Sequence, residues 1–242
     1  MKSVKLIAAI FLLNVGMISF LAGQNWSLTG IRGEGPKVTK NLDLSTFEGI
    51  GLSINADVYV QQGNSQSVKI EAQQNIIENL KKEVKNGVWK ISFDKNVRNH
   101  DGVKIWITVK ELTSVAVSGS GSVIGEKPFK VNGPLSLAVS GSGNIKLDSE
   151  SESVDGAISG SGNLKLAGKT GKCNISISGS GDVAAFDLYT QETSVRISGS
   201  GDASVNVNEN LNVSIAGSGD VYYKGNAKVR SKISGSGDVI SK

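Results

Sequence analysis

The chain has 242 residues, of which 30 are glycine, three proline and one cysteine, with 5% aromatic and 38% hydrophobic content. Valine and isoleucine recur at regular positions, which excludes a disordered chain and points to a β-rich object with many tight bends. The formal net charge of +4 loses two lysines if an N-terminal signal is removed, and no clustered basic stripe remains, so nucleic acid is excluded as a partner.

The first element is a targeting segment. Lys2 and Lys5 precede an apolar run over residues 6–20, broken only by Asn14, Gly16 and Ser19, and small residues follow at Ala22 and Gly23. This reads as a secretory signal, residues 1–23, cleaved near Gly23 and favoured over an uncleaved anchor. The run is short for a bilayer span, which takes roughly 20 apolar residues. No other stretch could cross a membrane, so no transmembrane segment is expected after signal removal. The single cysteine, Cys173, cannot form an internal disulfide and lies too far from the signal to be a lipidated N-terminus.

Residues 24–37 read as a linker and residues 38–111 as an N-terminal β region with one short helix. Ile50, Leu52, Ile54, Ala56, Val58 and Val60 alternate with Ser53, Asn55, Asp57 and Tyr59, the pattern of half-buried strands. "NIIENLKK" sets Ile76, Ile77 and Leu80 at helical spacing, with Asn75 and Glu78 in the positions of a capping box. "VKNGVWKISF" predicts a hairpin turning at Asn86 and Gly87. After a polar loop over 94–102, "VKIWITV" is a further strand that leaves Trp106 outward between Lys104 and Thr108; Tyr59 and Tyr222 share that outward parity. These strands are expected to form irregular early coils or a small abutting sheet, without an independent domain.

From residue 112 to 242 the chain is one repeat array. "SGSG" or "AGSG" begins at 118, 140, 159, 178, 198, 216 and 234, a period near 19 that matches one coil of a β-solenoid. Period-2 alternation runs straight through the motif: Leu135, Leu137, Val139, Gly141, Gly143, Ile145 and Leu147 share one parity. The phrase therefore reads as strand and not linker. Both glycines of each copy fall on the apolar, inward parity and mark a structural corner. The corner pairs are Gly141 with Gly143, Gly160 with Gly162, Gly179 with Gly181, Gly199 with Gly201, Gly217 with Gly219, and Gly235 with Gly237. The expected cause is a collision of two inward side chains across the bend. About seven coils at ~4.8 Å would make a rod about 30 Å long.

The order "FEGIGLSINADVYVQQG", "VKIEAQQNIIENLKKEVKNGVWKISF", "VKIWITVKELTSVAVSGSGSV" and the repeated SGSG[DN] resembles the head GIN domain family of exported Bacteroidetes proteins, described as autotransporter adhesins. The resemblance spans about residues 38–241. It implies an all-β, right-handed parallel β-helix-like solenoid and a cell-envelope location, and it carries no catalytic or binding residues over. No stretch after the repeats reads as the many strands of ~10 residues that a translocator barrel needs.

Phosphate binding is not supported: no corner meets G-x-G-x-x-G, and "GNLKLAGKT" spaces Gly162 and Gly168 six apart where a P-loop needs five. Asp182, Asp202, Asp220 and Asp238 form an outward ladder, continued upstream by Asn163, Asn144 and Ser122, that calcium could occupy. Asparagine in the same column favours the alternative, in which each side chain hydrogen-bonds backbone amides at its own bend. His100, the only histidine, reads as a solvated loop residue, and Cys173 as a buried apolar one. No cofactor and no catalytic residue is expected. Trp106 and Tyr59 are the candidate surface contacts, able to meet a sugar ring or a protein partner. The expected function is that of a non-enzymatic adhesin or scaffold in the periplasm, on the outer membrane surface or secreted. The alternative is a glycan-binding or carbohydrate-active β-helix protein.

Overall fold

The computed structural model describes residues 30–242; the expected signal sequence lies outside them. In chain order, β1 (Ile31–Arg32), β2 (Lys37–Leu42), β3 (Gly49–Leu52), β4 (Asp57–Gln62) and β5 (Ser67–Gln73) precede the helix α1 (Gln74–Glu78). β6 (Val84–Lys85), β7 (Val88–Ile91), β8 (Val97–Asn99) and β9 (Lys104–Val109) complete the N-terminal part. β10 (Ser114–Gly119), β11 (Ser122–Gly125), β12 (Phe129–Lys130) and β13 (Pro134–Gly141) open the repeats. Then come β14 (Asn144–Gly160), β15 (Asn163–Gly179), β16 (Val183–Gly199) and β17 (Ala203–Gly217), and finally β18 (Val221–Lys224), β19 (Lys228–Gly235) and β20 (Val239–Ser241).

The repeats wind into a parallel β-solenoid of about seven turns. Each coil has a strand before the Gly-Ser corner, a strand after it and a bend at the far side. The long strands β14 to β17 each run along one wall, round the far bend and back along the other. On the wall before the corner, Val117, Val139, Ile158, Ile177, Ile197, Ile215 and Ile233 are register partners in one column. On the wall after it, Val123, Ile145, Leu164, Val183, Ala203, Val221 and Val239 form the matching column. Alternation puts these side chains inside and the serines, asparagines and lysines outside, so the core is a continuous stack.

One expectation about the motif is corrected here: the strand does not run straight through it. Each strand ends on the first glycine of the corner, as at Gly141, Gly199 and Gly217, and the next begins only at the residue three to four places on. The second glycines, Gly143, Gly162, Gly181, Gly201, Gly219 and Gly237, therefore lie between strands and belong to none. The physical reason is the backbone of the first glycine, whose positive φ turns the chain out of the extended conformation. Parity survives the break because the two or three residues between strands return the chain to the same face.

The same columns run into the N-terminal region, but not in chain order. β3 and β4 lie directly beneath β10 and β11, while β7 and β9, later in sequence, lie beneath β3 and β4. Thus Ile91 and Leu52 extend the first column and Ile105 and Val58 the second. Beyond β9, β5 and β2 add antiparallel strands, and the β6–β7 hairpin turns through Asn86 and Gly87 with φ of 51° and 73°. The antiparallel strands and the helix close this end of the stack over the fully buried Trp89, Phe47 and Ile76. The hydrophobic core is one cluster from Phe47 to Val221, so the early strands are part of the rod.

The capping box expected at the helix does not form. Gln73 is the N-cap and makes no side-chain cap bond. The Asn75 side chain is drawn away to the loop before β2, donating to the Arg32 carbonyl at 2.6 Å and accepting from the Glu34 amide at 3.1 Å. The helix is thereby a clasp for the incoming chain.

At the opposite end every residue of β19 is exposed, including Val229 at 37% and Ile233 at 40%, although both sit in the inward columns. Only one neighbouring coil covers them. Amide hydrogen exchange is expected to be fastest there among the coils, with residues 228–235 losing protection well before residues 172–179 of β15. Equal protection of the two segments would show that the last coil is as firmly held as the middle ones.

Candidate functional site

The corners carry the repeated motif, and their two glycines do different work. Sequence parity places both inward, but only the second is buried, as at Gly143, Gly162, Gly181, Gly201, Gly219 and Gly237. The first is half-exposed or exposed and takes a positive φ, from +105° at Gly141 to +141° at Gly217. In both, the place where a Cβ would stand is filled by the backbone of the coil beneath. At Gly199 it would lie 2.1 Å from the Gly179 carbonyl oxygen. Among the second glycines it would lie 2.2 Å from the Gly162 oxygen at Gly181, and 2.1 Å from the Gly181 oxygen at Gly201. The same column continues at Gly219, 2.0 Å from the Gly201 oxygen, and at Gly237, 2.1 Å from the Gly219 oxygen. The collision that demands glycine is thus along the stack and not across the core, which corrects the cause expected from parity. The register of β3 with β10 aligns "SINA" at 53–56 with the first corner, where Ile54 and Ala56 are accommodated without positive φ.

The outward Asp ladder is a set of hydrogen bonds between coils. The Asp202 amide donates to Asp182 Oδ1 at 2.9 Å, the Asp220 amide to Asp202 Oδ1 at 2.7 Å, and the Asp238 amide to Asp220 Oδ1 at 2.8 Å. Upstream, the Asn163 side-chain amide donates to Asn144 Oδ1 at 2.9 Å. Each carboxylate caps the amide of the next coil, not its own bend. The Tyr222 hydroxyl donates to Asp220 Oδ2 at 3.1 Å, and that bond holds its proton above the ordinary tyrosine range. Among the described residues no three His, Cys, Asp or Glu side chains are grouped as metal ligands.

Cys173 faces inward on β15 between Val154 and Thr193. Burial, reinforced by the Asp155 charge, pushes its thiol from 9.0 to about 12. The native thiol therefore keeps a proton that the unfolded thiol loses, so stability declines as the pH rises from about 9 towards 12 and is unaffected by this group below 9. Cys173→Ala is expected to remove that component, up to about 1.4 kcal/mol per pH unit, from urea-melt stabilities measured over this range. An identical alkaline slope in the variant would show that the thiol titrates normally. His100 lies at the other extreme, just after β8, where its Nδ1 accepts from the Gly102 amide at 3.0 Å and its ring meets Phe93 edge-on.

The outer face of the wall after the corner brings the two candidate contact residues together. Register places Asn41, Lys69, Trp106, Tyr59, Ile124, Lys146 and Lys165 in one transverse row. Tyr59 and Trp106 stack with ring centroids 5.8 Å apart and planes 18° from parallel, and Lys69 Nζ lies 4.6 Å over the Trp106 ring. Both faces of the indole are therefore covered, one by each flanking strand. Parity alone places Trp106 outward but carries no sign that its neighbours on both strands sandwich it.

Next to this stack is a groove of about 630 Å³, lined among others by Asn41, Asp43, Gln61, Ser67, Lys69, Trp106, Thr108 and Glu126. Its side is the segment after β2, held by Gln66: the amide nitrogen donates to the Leu44 and Ser45 carbonyls at 3.1 Å each, and Oε1 accepts from the Phe47 amide at 2.9 Å. Its floor is the rung on which Gln61 Nε2 donates to Thr108 Oγ1 at 3.3 Å. No sequence signal marks this groove, because it depends on the antiparallel placement of β2 and β5 beside β9.

These features define a capped, parallel β-solenoid with a groove on one wall. The chain matches the family described as "Putative auto-transporter adhesin, head GIN domain" across residues 46–227 and belongs to that family. Solved structures agree in fold. A "putative adhesin" from Bacteroides fragilis aligns with a TM-score of 0.80 at 23% identity, covering 88% of this chain and 100% of that one. A "Putative lipid binding protein" from Parabacteroides distasonis gives 0.74 at 26%, covering 88% and 100%. A "putative adhesin" from Parabacteroides merdae gives 0.74 at 26%, covering 88% and 99%. The family and these neighbours are described as adhesins or a lipid-binding protein and not as enzymes. No curated protein matches the chain. No helix of the described residues is long and apolar enough to cross a membrane.

Proposed function

We propose that this protein is a non-enzymatic adhesin or scaffold of the cell envelope, exported by its N-terminal segment and acting through the repetitive surface of the rod. The observation that carries the reading is the outer face of the wall, where strand after strand sets its outward side chains in straight rows at a fixed spacing. A rigid wall of this kind orders its surface groups before any partner arrives, which lowers the entropic cost of extended contact. Membership of a family described as adhesins supports the same reading. Partners of the expected kind are surface glycans or proteins.

The test is adhesion of cells that make the protein, of a deletion strain and of the complemented strain to glycan-coated and matrix-protein-coated surfaces. Loss of attachment on deletion, restored by the full chain, is the expected result. Unchanged attachment to every surface would leave the scaffold role and remove the adhesin.

A further inference from the structure

We infer that the groove beside Trp106 is a non-catalytic binding site for a neutral oligosaccharide. The inference deepens the proposed surface-binding role and rests on it.

The groove is built and held before any ligand arrives. Gln66 is fully engaged in fixing its side, Lys69 is parked over the indole, and Tyr59 supports the indole from behind. What remains uncommitted is a mixture of donors and acceptors. The Trp106 indole N–H, the Ser67 hydroxyl and the Asn41 amide have no hydrogen-bond partner among the described residues, and the carboxylates of Asp43 and Glu126 have no hydrogen-bond or ion-pair partner there. Gln61 keeps its carbonyl oxygen and Thr108 its hydroxyl proton free.

A sugar is the ligand class that offers hydroxyls able both to donate and to accept against such a set, while its C–H surface meets the indole edge and Leu42. Charge selects within the class. One ammonium faces two carboxylates, so an anionic sugar meets Asp43 and Glu126 unfavourably and a cationic one meets Lys69. The volume of about 630 Å³ lies within the range of small-molecule sites and has room for a few sugar rings. The covered faces of Trp106 leave only its edge for a ligand to meet, so the contact is not one of stacking.

The test uses purified protein and saturation-transfer NMR, so its outcome does not depend on where the protein sits in the cell. The probes are chitotriose, mannotriose and maltotriose at millimolar concentration, with trigalacturonic acid as the anionic control. Transfer to at least one neutral trisaccharide is expected, with none to the anionic one. Glu126→Gln, an exposed position that leaves the core untouched, is expected to weaken binding about tenfold, the effect of losing one charge-assisted hydrogen bond. Trp106→Phe removes the indole donor and is expected to act in the same direction. No transfer to any neutral probe, equal transfer to the anionic probe, or affinity unchanged in both variants would overturn the inference. Release of new reducing ends would overturn its non-catalytic part. Failure here with intact cell adhesion would leave the adhesin standing and place its contact elsewhere.

Discussion

Gly199→Ala is expected to destabilise the protein by about 3–5 kcal/mol, a large share of the 5–15 kcal/mol that holds a typical domain together. Two costs add. The residue has φ of +135°, where an L side chain is strained by roughly 1–3 kcal/mol, and its Cβ would stand 2.1 Å from the Gly179 carbonyl oxygen. That oxygen cannot swing aside, because it accepts the Ser200 amide at 2.9 Å in the ladder between coils. Gly181→Ala separates the two costs: its Cβ would meet the Gly162 oxygen at 2.2 Å, but it has no positive φ. Gly51→Ala is the control, with its nearest neighbour at 3.9 Å and a half-buried place in β3; the change there is expected to stay within about 1 kcal/mol of wild type. Urea midpoints of the three variants decide the matter. A Gly199→Ala protein as stable as Gly51→Ala would show that the coils can spread and that the corner glycines are not required by stacking.

Trp89→Ala is expected to cost about 3–5 kcal/mol, for a different reason. Trp89 is completely buried beneath β3, meets Phe47 at 5.7 Å between ring centroids, and donates its indole N–H to the Lys81 carbonyl at 3.1 Å. Truncation opens a cavity at the closed end of the rod and orphans that carbonyl. The loss should be local. β5, α1 and the β6–β7 hairpin should lose exchange protection first, while β14 to β16, which stack beyond β3, β10 and β13, keep theirs until global unfolding. Uniform loss across the chain would show that the cap and the repeats unfold as one unit. Trp89→Phe, which retains most of the volume, is expected to recover a large part of the stability but not the hydrogen bond.

The repeated half of the fold is legible in the sequence because one rule governs it. A period near 19 and a parity of two fix both the coil and the register, and the observed partnering of Val154 with Cys173, Thr193 and Leu211 follows from aligning the corners. Thr193 breaks the apolar column, and its hydroxyl is satisfied locally by Thr190 at 2.7 Å. The N-terminal order is not legible. β7 and β9 stack outside β3 and β4 although they come later, and nothing in their composition distinguishes the outer layer from the next coil. Parity marks the corner but hides the strand break at Gly201, Gly219 and Gly237, since the three-residue turn there leaves the alternation intact. It also points to the core for the cause, because alternation records which side a residue faces and not what the neighbouring coil puts there. The Asp column suggests local caps for the same reason; the bonds instead cross from coil to coil. The groove is invisible because its side and floor come from β2, β5 and β9, whose antiparallel contacts leave no periodic trace.

An adhesive rod must face the outside of the cell, and labelling of its lysines on intact cells tests this most directly. Lys146, Lys165, Lys169 and Lys172 are exposed along the rod and ready to react with a membrane-impermeant amine reagent. Modification of these lysines on intact cells, to the same extent as after lysis, is the expected result. Modification only after lysis would place the rod behind a membrane and contradict the adhesin, leaving a scaffold of the envelope interior.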